Sequence, residues 1–145
     1  MSDDGNGRMV PGRDRLLAAC RGLPRDDHPM LEAAGELVQL HEIRERTPAF
    51  EIAKLERRRA QLVRSIDRWV TLAMPVPNSA AQLYSETVGQ MVDRLARMTA
   101  QAFMPLSAAP EAVFDDVWVQ VNELADSYQD LIDDLREGTR RLPGG

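Results

Sequence analysis

Two acidic pairs set the first chemical possibility in this 145-residue chain. Glu42 and Glu45 form an E-x-x-E pair, and Glu123 and Asp126 form an E-x-x-D pair. Residues three apart share a helix face, so each pair presents two carboxylates side by side. Hard Mg²⁺ takes several such oxygens converging from facing helices, with water and substrate phosphate completing the octahedron. Glu42, Glu45, Glu123 and Asp126 are therefore the candidate metal ligands. Against them, a chain with 23 acidic residues also carries pairs of this spacing as a solvated face. Glu123 and Asp126 fall opposite the apolar seam of their segment, which directs them to water.

The second possibility is basic. Lys54, Arg57, Arg58, Arg59, Arg64 and Arg68 crowd one segment, but Glu51, Glu56 and Asp67 interrupt them and no aromatic platform accompanies them. The net charge of -5 repels nucleic acid and anionic membrane at long range. Nucleic acid is thus a poor partner. Arg59 alone occupies an apolar seam position, between Leu55 and Leu62, where a buried unpaired guanidinium is not tolerated. It must reach the bundle edge, pair with a carboxylate of another helix, or face a ligand. His41 borders an apolar stripe, where a hydrogen-bonded core role is expected ahead of a ligand or base role. No nucleophile is placed to make a triad with it. Cys20, the single cysteine, has no cationic cluster near it in sequence and reads as a packing residue.

These residues ride on helical segments. From Phe50 to Ala73 the chain repeats Ile52, Leu55, Leu62, Ile66, Trp69 and Ala73 at steps of three and four, the mark of a long helix with one buried seam. A third long helix is expected from Ala80 to Met104, with Tyr84, Val88, Met91, Leu95, Met98 and Ala102 on its seam. Gly89 inside it means either a close helix neighbour or a later start. A last helix, Glu111 to Glu137, carries Phe114, Val117, Val121, Leu124, Tyr128, Leu131 and Leu135, with Pro110 suited to its first turn. Upstream, DRLLAACR forms a short helix stopped by Gly22. DDHPMLEAAGELVQLHEIRER forms another, capped by Asp26 or Asp27 and seamed by Met30, Ala33, Leu37 and Leu40. Trp69 and Trp118 belong to the core. No strand alternation is visible.

The runs AKLERRRAQLVRSIDRWV and SETVGQMVDRLA resemble the bacterial family called domain of unknown function 4254. In that family an arginine-rich segment ending in Ile-Asp precedes Glu-Thr-x-Gly-x-x-x-Asp-Arg-Leu. Here those positions are Arg59, Ile66 and Asp67, then Glu86, Thr87, Gly89, Asp93, Arg94 and Leu95. LHEIRER, 40–46, is similar to the preceding family helix, and the resemblance covers roughly residues 28 to 137. The tryptophan and paired acids found after the histidine in many members are absent. The resemblance implies a bacterial helical domain and assigns no activity. With Arg59 and His41, Glu86 and Asp93 complete the candidate binding set. The acidic pairs are similar to the magnesium sites of all-helical nucleotide pyrophosphatases, and a seam arginine resembles the clamp of helical mutases of the chorismate type.

The sequence therefore predicts an all-α antiparallel bundle of three long helices plus a shorter N-terminal helix. One domain over residues 13–137 is expected, with a disordered tail at 1–12 and a frayed one at 138–145. Two functions stand: an interaction or assembly module needing no cofactor, partnered by itself as a homodimer or by another helical protein, and a Mg²⁺-dependent pyrophosphatase-like hydrolase. No apolar run approaches the roughly 20 residues needed to span a bilayer, and a cytoplasmic setting is expected. Of 18 basic side chains only Lys54 is lysine, which suggests a G- and C-rich bacterial genome. Residues 111–137 sum to -8 (nine acids, one arginine) and residues 54–68 to +4 (six bases, two acids). Such faces are expected to meet between subunits of a symmetric dimer.

Overall fold

The computed structural model describes residues 9–23, 27–103 and 111–144, with side-chain surroundings for all of these but 103 and 111–115. Asp26, Met104 and Pro110, the side chain of Phe114 and residues 1–8 lie outside this description. The helices are α1 Arg13–Cys20, α2 Pro29–Arg44, α3 Ile52–Ala73, α4 Val88–Phe103 and α5 Glu111–Glu137. A single 3-10 turn, Ala49–Glu51, leads into α3. The all-α bundle is as the seams predict.

α2 packs against α1, α3 and α4, while α4 packs against α2, α3 and α5. α3 and α5 form no extensive interface, so they sit on opposite sides of the α2/α4 pair. α3 and α4 run antiparallel, because Gly89 meets Val63 and Asp67 while Asp93 meets Arg59. Leu16, Met30, Leu37, Leu62, Ile66, Val70, Met91, Leu95, Val121, Tyr128 and Leu131 fill the shared core. Along α3, Leu62 and Ile66 are buried, Ile52, Leu55 and Trp69 are half-buried, and Ala73 is exposed. A straight helix drifts by about 20° per heptad from a strict seam, so Val70 takes the core place expected of Ala73. Trp69 and Trp118 lie partly buried against the core. Among the described residues no helix is long and apolar enough to cross a membrane.

Four local expectations change. The N-cap of α2 is His28, whose Nδ1 accepts from the Met30 N–H at 3.1 Å, with Pro29 behind it in the first turn. α4 begins at Val88, eight residues after Ala80, and the chain before it contributes β1, Gln82–Leu83. That short strand pairs in parallel with β2, Arg140–Arg141, which lies in the tail expected to fray. Gly138, at φ +77°, turns the chain back after α5, and its carbonyl accepts from the Asn78 N–H at 2.9 Å. Residues 9–12 likewise belong to the packed body. Val10 is 2% exposed, the Tyr128 hydroxyl donates to the Pro11 carbonyl at 2.7 Å, and Arg136 donates to the Val10 carbonyl at 2.8 Å. The carbonyls of Met9, Val10 and Pro11 and the N–H groups of Asn78, Gln82 and Tyr84 find partners across the bundle, which no helical period reports.

Candidate functional site

α2, α3 and α4 converge on one chain of charged side chains. His41 from α2 lies with Nε2 2.8 Å from Asp93 Oδ1 on α4. A carboxylate oxygen only accepts, so His41 donates through that nitrogen. The other oxygen, Asp93 Oδ2, accepts from Arg59 Nη1 on α3. Arg59 also donates to Glu56 Oε2, one turn back, at 2.7 Å from Nη2 and 3.1 Å from Nε. Arg44, at the end of α2, closes the set against Glu56 Oε1 at 3.4 Å.

Burial works against the charge on Asp93, whose side chain is 15% exposed. The His41 hydrogen bond and the Arg59 guanidinium outweigh it and hold the carboxyl below the usual carboxylate range. Of the readings open for Arg59, the structure shows pairing with a carboxylate of another helix. Both Asp93 oxygens are occupied by protein donors, so these atoms are spent on joining three helices.

A second constellation caps α4 from outside. Asp67 on α3 accepts from the Gly89 N–H at 2.7 Å and from the Thr87 hydroxyl. Desolvation nevertheless raises its carboxyl above the ordinary value. Thr87 accepts from the Gln90 N–H at 3.1 Å, and Gln90 accepts from the Thr87 N–H at 2.8 Å, a reciprocal capping box. Gly89 fits because a Cβ there would lie 2.4 Å from the Val63 carbonyl oxygen and 2.7 Å from Asp67 Oδ1. The later helix start and the close neighbour, posed as alternatives for Gly89, both hold.

Residues 38–109 match the model of a family described as a protein of unknown function, DUF4254. Over these residues the chain belongs to this family. The DUF4254 match covers the second half of α2, all of α3 and all of α4, and so holds both constellations. It is narrower than the span of about 28–137 expected from motif likeness, and leaves α1 and α5 outside. No curated protein and no solved structure matches the chain.

Of the candidate binding residues, the structure brings together His41, Arg59 and Asp93. Glu86 stands apart and pairs with Arg94. The four carboxylates proposed for Mg²⁺ do not converge: Asp126 pairs with Arg13 at 2.8 Å, and Glu123 borders an open groove between α4 and α5 with Arg94 and Arg97. Among the described residues no three His, Cys, Asp or Glu side chains are placed to hold a metal ion. Cys20 is buried, and burial pushes its thiol up to about 12, which suits packing and not nucleophilic attack. Sequence reasoning missed Glu56 and Arg44. Glu56 was readable as an i,i+3 partner of Arg59, whereas Arg44 reaches it only through the α2–α3 turn.

Proposed function

We propose that the chain is a helical assembly module of the bacterial cytoplasm, most simply a homo-oligomer. The observation that carries this reading is the apolar end of the bundle where α3 finishes. Val76, 89% exposed, lines an opening of about 440 Å³ together with Val70, Met74, Leu135 and Leu142, and Leu72, 85% exposed, stands on the last turn of α3 before it. Large apolar side chains gathered at one open end favour contact with another protein surface. The candidate site supports the same reading, since its polar atoms bind one another and fix the α2, α3 and α4 framework that presents this end. The arginine-rich composition and the single unpaired cysteine fit the setting.

Sedimentation velocity across a wide protein concentration range tests the proposal. The native chain is expected to associate with rising concentration, and a Leu72→Ser/Val76→Ser double variant to associate more weakly while keeping its helical content. A native chain that stays monomeric throughout defeats the homo-oligomer.

A further inference from the structure

The outer faces of α3 and α5 carry opposite charge at the same spacing. On α3, Lys54, Gln61 and Arg68 are exposed at seven-residue intervals, with Leu72 four residues on; Arg57 and Arg64 flank them. On α5, Glu123, Asp130 and Glu137 are exposed at seven-residue intervals, with Val119, 54% exposed, four residues before. At 100° per residue each set falls on one narrow stripe. Among the described residues neither Lys54, Arg57, Arg64 and Arg68 nor Glu123, Asp130 and Glu137 form an ion pair, whereas Arg58 and Arg59 pair with Glu36, Glu56 and Asp93. These stripes are among the charges that the monomer leaves open in the described residues.

Laid antiparallel with Leu72 against Val119, the two stripes match along their length. Lys54 falls opposite Glu137, Gln61 opposite Asp130, and Arg68 opposite Glu123. The spacing agrees because both sets repeat every seven residues. α3 and α5 lie on opposite sides of the α2/α4 pair, so one molecule cannot bring its own stripes together.

We infer that the basic stripe of α3 docks on the acidic stripe of α5 of a second copy, head to tail. This rests on the assembly reading above and specifies its geometry. A symmetric dimer needs both contacts on one face of each molecule; with the stripes on opposite sides, a ring or an open chain of copies results. Charge complementarity fixes the register, and the Leu72–Val119 contact removes apolar surface from water.

Two charge-reversed proteins test it: Lys54→Glu/Arg68→Glu on α3, and Glu123→Arg/Glu137→Lys on α5. All four positions are exposed and none touches the His41–Asp93–Arg59 set, and circular dichroism checks that each variant stays helical. Native association is expected to weaken as salt rises. Each variant alone should associate at least about tenfold more weakly than the native chain, and an equimolar mixture should recover association, because each stripe again meets its opposite. Variants that associate as the native chain does, or a mixture that stays as weak as its components, overturn this docking and leave the assembly module standing. A native chain that is monomeric at low salt and high concentration overturns both.

Discussion

Arg59 shows how a seam position accommodates a charge. Its side chain is 36% exposed and its guanidinium holds Asp93 and Glu56 at once, so the stem covers apolar surface while the head binds two carboxylates. Arg59→Ala is expected to cost about 1–2 kcal/mol, less than for a fully buried pair because water still screens the site and His41 still serves Asp93. Arg59→Leu should recover part of that through packing. Thermal unfolding of both variants measures the difference, and a Leu variant no more stable than the Ala variant removes the packing contribution.

Histidine 28 makes a pH prediction at the same scale. In the neutral ring Nδ1 accepts from Met30 and Nε2–H donates to the Met9 carbonyl at 3.0 Å, so protonation of Nδ1 breaks the α2 cap. Burial lowers the folded-state value below 6.5, and the unfolded chain takes up the proton first as pH falls. Stability contributed by neutral His28 is therefore full above 6.5 and declines below it, until the folded value is reached. Denaturant titrations at pH 7.5 and 5.5 should show the loss, and His28→Asn, which keeps a capping oxygen, should flatten it. The Trp69 ring stands edge-on to His28 at 5.1 Å between centroids and gives a fluorescence readout of the same event.

The junction of α3 and α4 is the element-scale counterpart. Asp67 serves α4 as a cap supplied from another helix, at the cost of a desolvated carboxylate. Because its folded-state value is raised, Asp67 weakens the fold as pH rises through the window above the ordinary carboxylate value. Asp67→Asn keeps an acceptor for Gly89 without the charge and should leave stability at pH 7 unchanged or higher. Asp67→Ala strands the Gly89 N–H and should cost about 1–3 kcal/mol. Gly89→Ala forces the Val63 carbonyl away and should cost about 1–3 kcal/mol, as overpacking does. Equilibrium unfolding at pH 7 ranks the three, and Asp67→Asn as damaging as Asp67→Ala contradicts the cap.

At the scale of the molecule, the two tails close the bundle. The Tyr84 N–H donates to the Arg141 carbonyl at 2.8 Å, and Leu142 packs against the core. Ending the chain after Glu137 should remove these bonds, uncover Met74 and Leu135, and cost about 2–4 kcal/mol. A melting temperature unchanged by the truncation counts against a structural tail.

The sequence alone determined the helices and the character of their faces, because a 3.6-residue period in apolar residues depends on neighbours three and four apart. Leu62, Ile66, Tyr128 and Leu131 are buried as that period requires. It also marked Arg59 as a residue that must reach water, a carboxylate or a ligand, since charge at a seam position is costly wherever the helix packs. Which partner answered was a tertiary matter: Asp93 lies 34 residues away, and only the antiparallel crossing of α3 and α4 brings it to the guanidinium. The capping of α4 by Asp67, the burial of Val10 and the pairing of the C-terminal strand were decided there too. Each depends on hydrogen bonds between residues distant in sequence, for which local pattern carries no signal.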